Sequence, residues 1–298
     1  MLSNHSNGMQ RLGYASTSAD VTGTRIDAGV ATPITEALAE ETPITFAYNL
    51  APHAVMMATP ADLEDFAVGF SLTEGLVGDA SDITGVSVVR HGRGIELQIE
   101  LSAELAAAAG TQSRRLSGRT GCGICGSAEI DRVLRELPSV RNGAGVEPSA
   151  VTCAMRALAR HQPLNAATGA VHAAGWARLD GALVHVREDV GRHNALDKLI
   201  GAIVRAGEPS HEGFVVITSR GSFELVQKAA VIGAALLATV SAPTALAVRV
   251  AQSVGLTLVG FARDERMTVY ANPARLLTPQ KEVAVTHSTH RASDSSVR

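Results

Sequence analysis

The feature of this sequence that most constrains its fold is an alternation of strand and helix patterns from residue 172 to residue 271. Short apolar runs bounded by turn residues predict strands, and longer periodic segments between them predict helices. The predicted strands are WARLDGALVHV (a hairpin), FVVIT, LTLVGF and MTVYA, and the predicted helices are NALDKLIGAIVRA, FELVQKAAVIGAALL and a segment after SAPT that ends at Gly255. This alternation implies a mixed or largely parallel sheet flanked by helices, so we expect an α/β fold.

The residues before this alternation predict a smaller N-terminal α+β subdomain. TFAYNL with AVMMAT, and VSVVR with IELQIE, alternate like two pairs of strands, and Thr59-Pro60 predicts a helix start as N-cap and first-turn proline. Both ends of the chain lack hydrophobic periodicity, so we expect them to be disordered. The predicted division is a tail over residues 1–32, the α+β part over 33–145, the α/β part over 146–278, and a tail over 279–298.

Composition narrows the class of protein and its compartment. The formal net charge is -3, from 26 basic and 29 acidic side chains, so no overall basic field exists to hold a nucleic acid. Only three cysteines occur, which points to a reducing compartment rather than a disulfide-built extracellular domain. The N-terminus lacks the apolar core of a secretion signal, and Pro243 breaks the one long charge-free stretch. We therefore expect a cytoplasmic protein that does not enter membranes.

The strongest local signal is GCGICG at residues 121–126, where glycines flank and separate Cys122 and Cys125 just before a predicted helix. Free N–H groups at a helix start, and the arginines in the preceding RRLSGR, favour the thiolate form of a cysteine, which is the reactive form. The glycines leave room for a bulky electrophile to approach. This pattern indicates a nucleophile or a sulfur carrier.

Three other interpretations of the cysteine pair stay open. A structural zinc site needs four ligands, and the chain has no second C-x-x-C motif. A thioredoxin-like redox pair would follow the first strand, and Gly-Ile between the cysteines is unusual there. Two buried cysteines acting as small apolar residues would not need four surrounding glycines.

Polar residues gather where predicted strands turn into helices. In HVREDVGRHNALDKLIG, His193 and Asn194 stand at a helix start, so we expect their polar groups to point out of the strand end. In ITSRGSF, Ser219 and Arg220 follow a strand. Free N–H groups at such junctions bind phosphate, and open sheets bind ligands at this edge. TVSAPTA offers another such junction, and His172 in TGAVHAAG is a further candidate. Surface solvation, or a hydrogen-bonded core position for His172, is the alternative.

FARDER, residues 261–266, ends a predicted strand with two arginines three positions apart. Arg263 and Arg266 have the side chain that grips phosphate through paired N–H donors, and Asp264 and Glu265 have carboxylates that accept the paired donors of a guanine edge. The set would suit a guanine nucleotide. A plain turn with a solvated salt bridge would look similar.

Taken together, the motifs GCGICG, TGAVHAA, DVGRHNALDKLIG, SFELVQKA, SAPTALAV and TLVGFARDERMTVY resemble the formate dehydrogenase accessory sulfurtransferase family, of the FdhD/NarQ type. They occur in one order over most of the chain. One departure is Ser219-Arg220-Gly221-Ser222, where we expect the family to place Ser-Gly-Arg before its helix.

The resemblance implies a cytidine-deaminase-like fold and a sulfurtransferase that acts as a homodimer. Such a protein takes sulfur from a cysteine desulfurase as a persulfide on Cys122, with Cys125 as neighbour. It passes the sulfur to the molybdenum cofactor, bis-molybdopterin guanine dinucleotide, before this enters formate dehydrogenase. No permanently bound metal is implied. The implied cofactor-binding residues are Phe261, Ala262, Arg263, Asp264, Glu265 and Arg266, to which the strand ends add His193, Ser219 and Arg220.

Two rival functions remain. A zinc-dependent deaminase would share the implied fold, and Cys122-x-x-Cys125 resembles half of its metal site, but no His-x-Glu pair precedes the cysteines. A non-catalytic chaperone that binds the molybdenum cofactor would need the strand-end sites and FARDER but not the thiols.

Overall fold

The computed structural model describes residues 16–102, 105, 137–140 and 144–277. Cys122, Cys125, the helix predicted after them and the C-terminal tail lie outside these residues. The described strands are β1 (Ser18–Asp27), β2 (Val30–Ala39), β3 (Thr42–Tyr48), β4 (Ala51–Ala58), β5 (Ile83–His91), β6 (Gly94–Leu101), β7 (His172–Arg178), β8 (Leu183–Asp189), β9 (Gly213–Ile217), β10 (Leu236–Thr239), β11 (Thr257–Arg263) and β12 (Arg266–Ala271). The described α-helices are α1 (Leu63–Thr73), α2 (Pro148–Arg160), α3 (Pro163–Thr168), α4 (Arg192–Arg205), α5 (Phe223–Val231) and α6 (Ala245–Val254).

The C-terminal half forms a six-stranded mixed sheet in the order β12-β11-β10-β9-β7-β8. Strands β9, β10 and β11 are parallel, while β7 and β12 run antiparallel to their neighbours. One face packs against α2 through a cluster that includes Val151, Leu158, Phe214 and Val259, and the other face packs against the main core. The prediction of a mixed sheet flanked by helices is confirmed.

The N-terminal part adds a four-stranded sheet in the order β4-β3-β6-β5, with α1 packed against it. Phe46 of β3 stacks on Phe70 of α1 with ring centroids 4.0 Å apart. The two parts share one hydrophobic core, which runs from Ile44 to Ala271. The predicted boundary at residues 145 and 146 and the likeness to the cytidine deaminase fold stay predictions.

Two glycines let α1 and α4 approach closely. A Cβ on Gly69 would lie 1.7 Å from the carbonyl oxygen of Asp197, and one on Gly201 would lie 1.9 Å from that of Asp65. No side chain fits at either position, so glycine is required by the approach of one backbone to the other. This contact holds the N-terminal part against the helix that begins at the functional edge described below.

The prediction of a disordered tail through residue 32 is wrong for residues 18–32. Strands β1 and β2 pair along their whole length, from Ser18 opposite Ala39 to Asp27 opposite Val30. Fifteen of the twenty residues in these two strands are exposed and none is buried, so neither face carries the apolar alternation that marks a half-buried strand.

Two helix boundaries also differ from the predictions. Helix α1 begins at Leu63 rather than after Thr59-Pro60, because the Thr59 hydroxyl accepts a hydrogen bond from the Val190 N–H, 3.1 Å away, instead of capping a helix. Helix α5 ends at Val231, and the chain turns through Gly233 (φ 70°) into β10. Pairing of β10 with β9 and β11 outweighs the helical preference of its alanines and leucines.

None of the helices in the described part of the chain is both long and apolar enough to cross a membrane.

Candidate functional site

Four of the predicted motifs meet at one edge of the six-stranded sheet. Strands β8, β9, β10 and β11 point the same way, because β8 and β9 both run antiparallel to β7 and β9 to β11 are parallel. Their carboxyl ends therefore carry Asp189, Ser219, Ser241 and Arg263 along a single edge. His172 starts β7 at this edge, directly opposite Asp189 in the strand register. The structure thus brings these predicted strand-end positions to one edge of the sheet.

The loops after β9 and β10 are hydrogen-bonded to each other. The Gly221 N–H donates to the Ala242 carbonyl at 3.2 Å, and the Thr244 N–H donates to the Gly221 carbonyl at 2.9 Å. The Thr244 hydroxyl accepts from the Ala247 N–H at 3.2 Å, so Thr244 caps α6. Helices α4, α5 and α6 all begin at this edge, so the backbone N–H groups of three helix starts lie near one another, with one of these groups capped by Thr244. Such a set of donors suits anionic groups.

His193 lies at the start of α4 and faces the start of α5. Its Nε2 lies 2.7 Å from Glu224 Oε2 and 3.4 Å from Ser222 Oγ. The hydrogen bond from His193 holds the pKa of the Glu224 carboxyl below its usual value. Burial lowers the pKa of the neighbouring His172, helped by the positive charges of Arg192 and His193. Arg192 and His193 thus make this part of the edge basic, and the Glu224 carboxylate fixes the His193 ring.

Arg192 adds a further donor to this edge. Its Nε atom is buried and has no hydrogen-bond partner among the residues that the structure describes. Ser219 is buried, with its hydroxyl 3.1 Å from the Arg220 carbonyl, whereas Arg220 itself is exposed. An exposed guanidinium beside a set of free N–H groups is available to an anionic ligand.

Half of the DVGRHNALDK motif serves the interior rather than the edge. Lys198 and Asp189 are fully buried and form an ion pair at 2.6 Å, and the Lys198 ammonium also donates to the Thr59 carbonyl at 2.8 Å. Asn194 is buried and donates to the Met57 carbonyl at 2.9 Å and to Asp189 at 3.0 Å. The prediction that Asn194 points out of the strand end is therefore wrong, because its amide ties α4 to the end of β4.

A second buried ion pair involves Asp197, the residue of α4 that directly precedes Lys198. The Lys228 ammonium donates to Asp197 at 2.9 Å and to Thr73 at 3.0 Å, which links α5, α4 and α1. Side-chain type alone does not show that these charges are buried. The structure places them between helices, where they fix the positions of the helix starts.

FARDER forms the turn between β11 and β12. Phe261, Arg263, Asp264, Glu265 and Arg266 are exposed, whereas Ala262 is buried and packs in the core under α2. The Phe261 N–H donates to the Ser241 carbonyl at 3.3 Å, and Arg263 Nε donates to the Val240 carbonyl at 2.9 Å. These bonds attach the turn to the loop after β10, so FARDER joins the same edge.

A shallow cleft of about 380 Å³ lies along this turn, lined by Phe261, Arg263, Arg266, Met267 and Thr268. Phe261 is 42% exposed and has a positive φ of 52°, a conformation that aromatic residues rarely adopt. An exposed aromatic ring held in this way beside two arginines suits a flat base with an attached phosphate.

Glu224 is a site residue that sequence reasoning missed. It sits in the first turn of α5, where an acidic residue is ordinary because it interacts favourably with the helix dipole. Only its contact with His193, 31 positions earlier in the chain, distinguishes it. Among the described residues, no group of three or more His, Cys, Asp or Glu side chains is arranged to hold a metal ion.

The fold and this edge define an α/β protein with a row of strand ends that carries basic side chains. The chain belongs to the FdhD/NarQ family, whose model matches residues 39–277. The resemblance that the six motifs indicate is thereby confirmed.

Proteins similar to this chain align with most of its length. It is 52% identical over 248 residues to the sulfur carrier protein FdhD of Xanthomonas axonopodis pv. citri (strain 306). The aligned region covers 83% of this chain and 88% of that protein. The chain is also 48% identical over 260 residues to the sulfur carrier protein FdhD of Bordetella petrii, and that aligned region covers 87% of this chain and 94% of the Bordetella protein. A crystal structure of a putative formate dehydrogenase accessory protein from Desulfotalea psychrophila has a TM-score of 0.70 at 26% identity, over 88% of this chain and 100% of that one.

Proposed function

We propose that this protein is a sulfur carrier for formate dehydrogenase, a sulfurtransferase that loads sulfur onto the molybdenum cofactor before the cofactor enters that enzyme. The observation that carries the proposal is the meeting of three helix starts, His193 and FARDER at one basic sheet edge, in a chain about 50% identical to proteins named sulfur carrier protein FdhD. The small number of cysteines supports a reducing cytoplasm as its place of action.

In this proposal Cys122 receives the sulfur. Its thiolate attacks the outer sulfur of a persulfide on a cysteine desulfurase, a new S–S bond forms on Cys122, and the donor cysteine leaves as a thiolate. The step needs no added oxidant or reductant, because one S–S bond replaces another. The glycines of GCGICG support this role, since they leave the sulfur accessible to a second protein.

The molybdenum cofactor is the substrate that accepts the sulfur. As bis-molybdopterin guanine dinucleotide it carries several phosphates and two guanines, and the described edge has chemistry that matches both. In this proposal the helix starts, His193 and Arg220 contact phosphate. Arg263 and Arg266 offer further phosphate contacts, and Asp264 has a carboxylate for a guanine edge.

Delivery of the sulfur as sulfide needs two electrons. Cys125 can supply them if its thiolate attacks the inner sulfur of the Cys122 persulfide, since this forms a Cys122–Cys125 disulfide and releases the outer sulfur at the sulfide level. A cellular dithiol would then reduce the disulfide. In the alternative arrangement, Cys125 takes over the outer sulfur and relays it.

The proposal is tested by formate dehydrogenase activity in cells whose only copy of this protein carries a substitution. Cys122→Ala should abolish the activity, whereas the matched control Cys153→Ala, at an exposed position on α2, should preserve it. Unchanged activity with Cys122→Ala would contradict sulfur transfer and favour a chaperone that only binds the cofactor. One zinc ion per chain in the purified protein would instead favour a deaminase-like metal site.

A further inference from the structure

A second, larger cleft lies between α2 and the start of β12. It has a volume of about 890 Å³ and is lined by residues that include Ser149, Thr152, Arg156, Arg160, Glu265 and Arg266. Ligand sites commonly have volumes of about 300–1,000 Å³, so this cleft is large enough for a nucleotide. Neither the strand-end motifs nor the cofactor-binding stretch FARDER accounts for its α2 wall.

The α2 wall is a single stripe of polar side chains. Ser149, Thr152, Arg156 and Arg160 follow one another at spacings of three or four residues, which places them on one side of the helix. The opposite side of α2 is fixed, because Val151 and Leu158 are fully buried against the six-stranded sheet. The stripe is therefore a rigid platform whose charged ends face the cleft.

The cleft is strongly basic, although the whole chain has a formal net charge of -3. Three guanidinium groups line it, from Arg156, Arg160 and Arg266, against the single carboxylate of Glu265. Arg156 lies 3.3 Å from Glu265, but the two side chains are 52% and 84% exposed, so the pair contributes little and an incoming anion can replace it. The excess of two positive charges matches a diphosphate.

The two clefts share lining residues on β12. Arg266, Met267 and Thr268 line both the FARDER cleft and the α2 cleft, so one ligand can contact both sides of this strand. We propose that the α2 cleft is a diphosphate-binding site, with Arg156 and Arg160 as its phosphate contacts alongside Arg266. This proposal rests on the proposed function in one respect: it assigns the site to a second phosphate-bearing portion of the same dinucleotide substrate.

Cys153 provides a reporter inside the cleft, because its exposed thiol lies on the α2 wall between Thr152 and Arg156. The experiment measures the rate at which N-ethylmaleimide alkylates Cys153 in the full chain, with mass spectrometry of the peptide that carries it. The probes are inorganic pyrophosphate, guanosine diphosphate and guanosine. Pyrophosphate and guanosine diphosphate should each slow the alkylation, whereas guanosine should not.

The combined substitution Arg156→Gln and Arg160→Gln should raise the half-protecting concentration of pyrophosphate about 10-fold to 100-fold, the loss expected for charge-assisted hydrogen bonds. Arg249→Gln, at an exposed position on α6, is the matched control and should leave this concentration unchanged. Both substitutions are at exposed positions and should preserve the fold, which circular dichroism checks.

The proposal would be overturned if neither pyrophosphate nor guanosine diphosphate slowed the alkylation, or if guanosine slowed it equally. It would also be overturned if Arg249→Gln raised the half-protecting concentration of pyrophosphate as much as the combined substitution. The measurement requires neither a sulfur donor nor the molybdenum cofactor. Failure of sulfur loading on Cys122 would therefore leave the α2 cleft as a diphosphate site, and absence of diphosphate protection would leave sulfur loading untouched.

Discussion

Replacing Lys198 by Met removes the ammonium group from a fully buried ion pair while it keeps most of the side-chain volume. The ammonium lies 2.6 Å from Asp189 and 2.8 Å from the Thr59 carbonyl, and it lies over the Phe66 ring, 5.4 Å from the centroid. The substitution leaves the Asp189 carboxylate buried, with N–H donors from Thr59, Gly191 and Asn194 but without a counter-charge.

Removing one partner of a buried ion pair costs about 3–5 kcal/mol. For a domain of this size, each 1 kcal/mol lowers the melting temperature by about 2–4 °C, so Lys198→Met should lower it by about 6–20 °C. Differential scanning calorimetry measures the shift, and Arg249→Met at an exposed position is the control. A loss below about 1 kcal/mol would refute the reasoning, because it would mean that Asp189 is not left as an uncompensated buried charge.

A second variant separates the ion pair from simple packing. Asp189→Asn removes the negative charge but keeps an oxygen for the Thr59 and Gly191 N–H groups. The double variant Asp189→Asn with Lys198→Met should be less destabilised than the sum of the two single variants, by about 0.5–3 kcal/mol. Strict additivity in urea unfolding would show that the two groups do not interact.

Three further predictions concern the helix contact and the basic edge. Gly69→Ala should destabilise the protein by about 1–3 kcal/mol or prevent folding, because the added methyl group forces α1 away from α4. Gly78→Ala is the control: the nearest atom to its added Cβ lies 3.8 Å away, so urea unfolding should change little. The pKa of the Glu224 carboxyl is lower in the folded protein than in the unfolded chain. The contribution of Glu224 to stability is therefore present near neutral pH and is lost as the pH falls through the folded-state pKa. Glu224→Gln should therefore lower the free energy of unfolding by less than about 1 kcal/mol at neutral pH and leave it unchanged in strong acid. An equal loss of stability under the two pH conditions would contradict this. His172 should titrate below its usual pKa of 6.5 in NMR spectra, and a value above 6.5 would show that burial does not govern it.

The periodicity of the sequence predicts the six-stranded sheet and its flanking helices because most of these elements have one buried face. Apolar residues alternate with polar ones, or form short runs, in strands β3 to β6 for the same reason. In the helices of the C-terminal half, apolar residues recur every three to four positions. The β1–β2 hairpin has no buried face, so its Ser, Thr and Gly residues look like a disordered tail. Local pattern carries no information about a hairpin of this kind.

The site is predictable only in part, because residue type does not reveal which way a charge points. The strand-end positions of His193, Ser219 and Arg263 follow from the alternation of strands and helices. The inward direction of Asn194 and Lys198 does not, because their partners Met57 and Thr59 lie more than 130 positions away in the chain. Glu224 is hidden for the same reason, since an acidic residue in the first turn of a helix needs no partner to explain it.

The central claim, that Cys122 carries sulfur, is tested most directly by mass spectrometry of the purified protein after incubation with a cysteine desulfurase and cysteine. The account predicts a gain of one sulfur atom on the peptide that contains Cys122, lost in Cys122→Ala and retained in Cys153→Ala. Added sulfur on Cys153 alone, or an equal gain in Cys122→Ala, would contradict it.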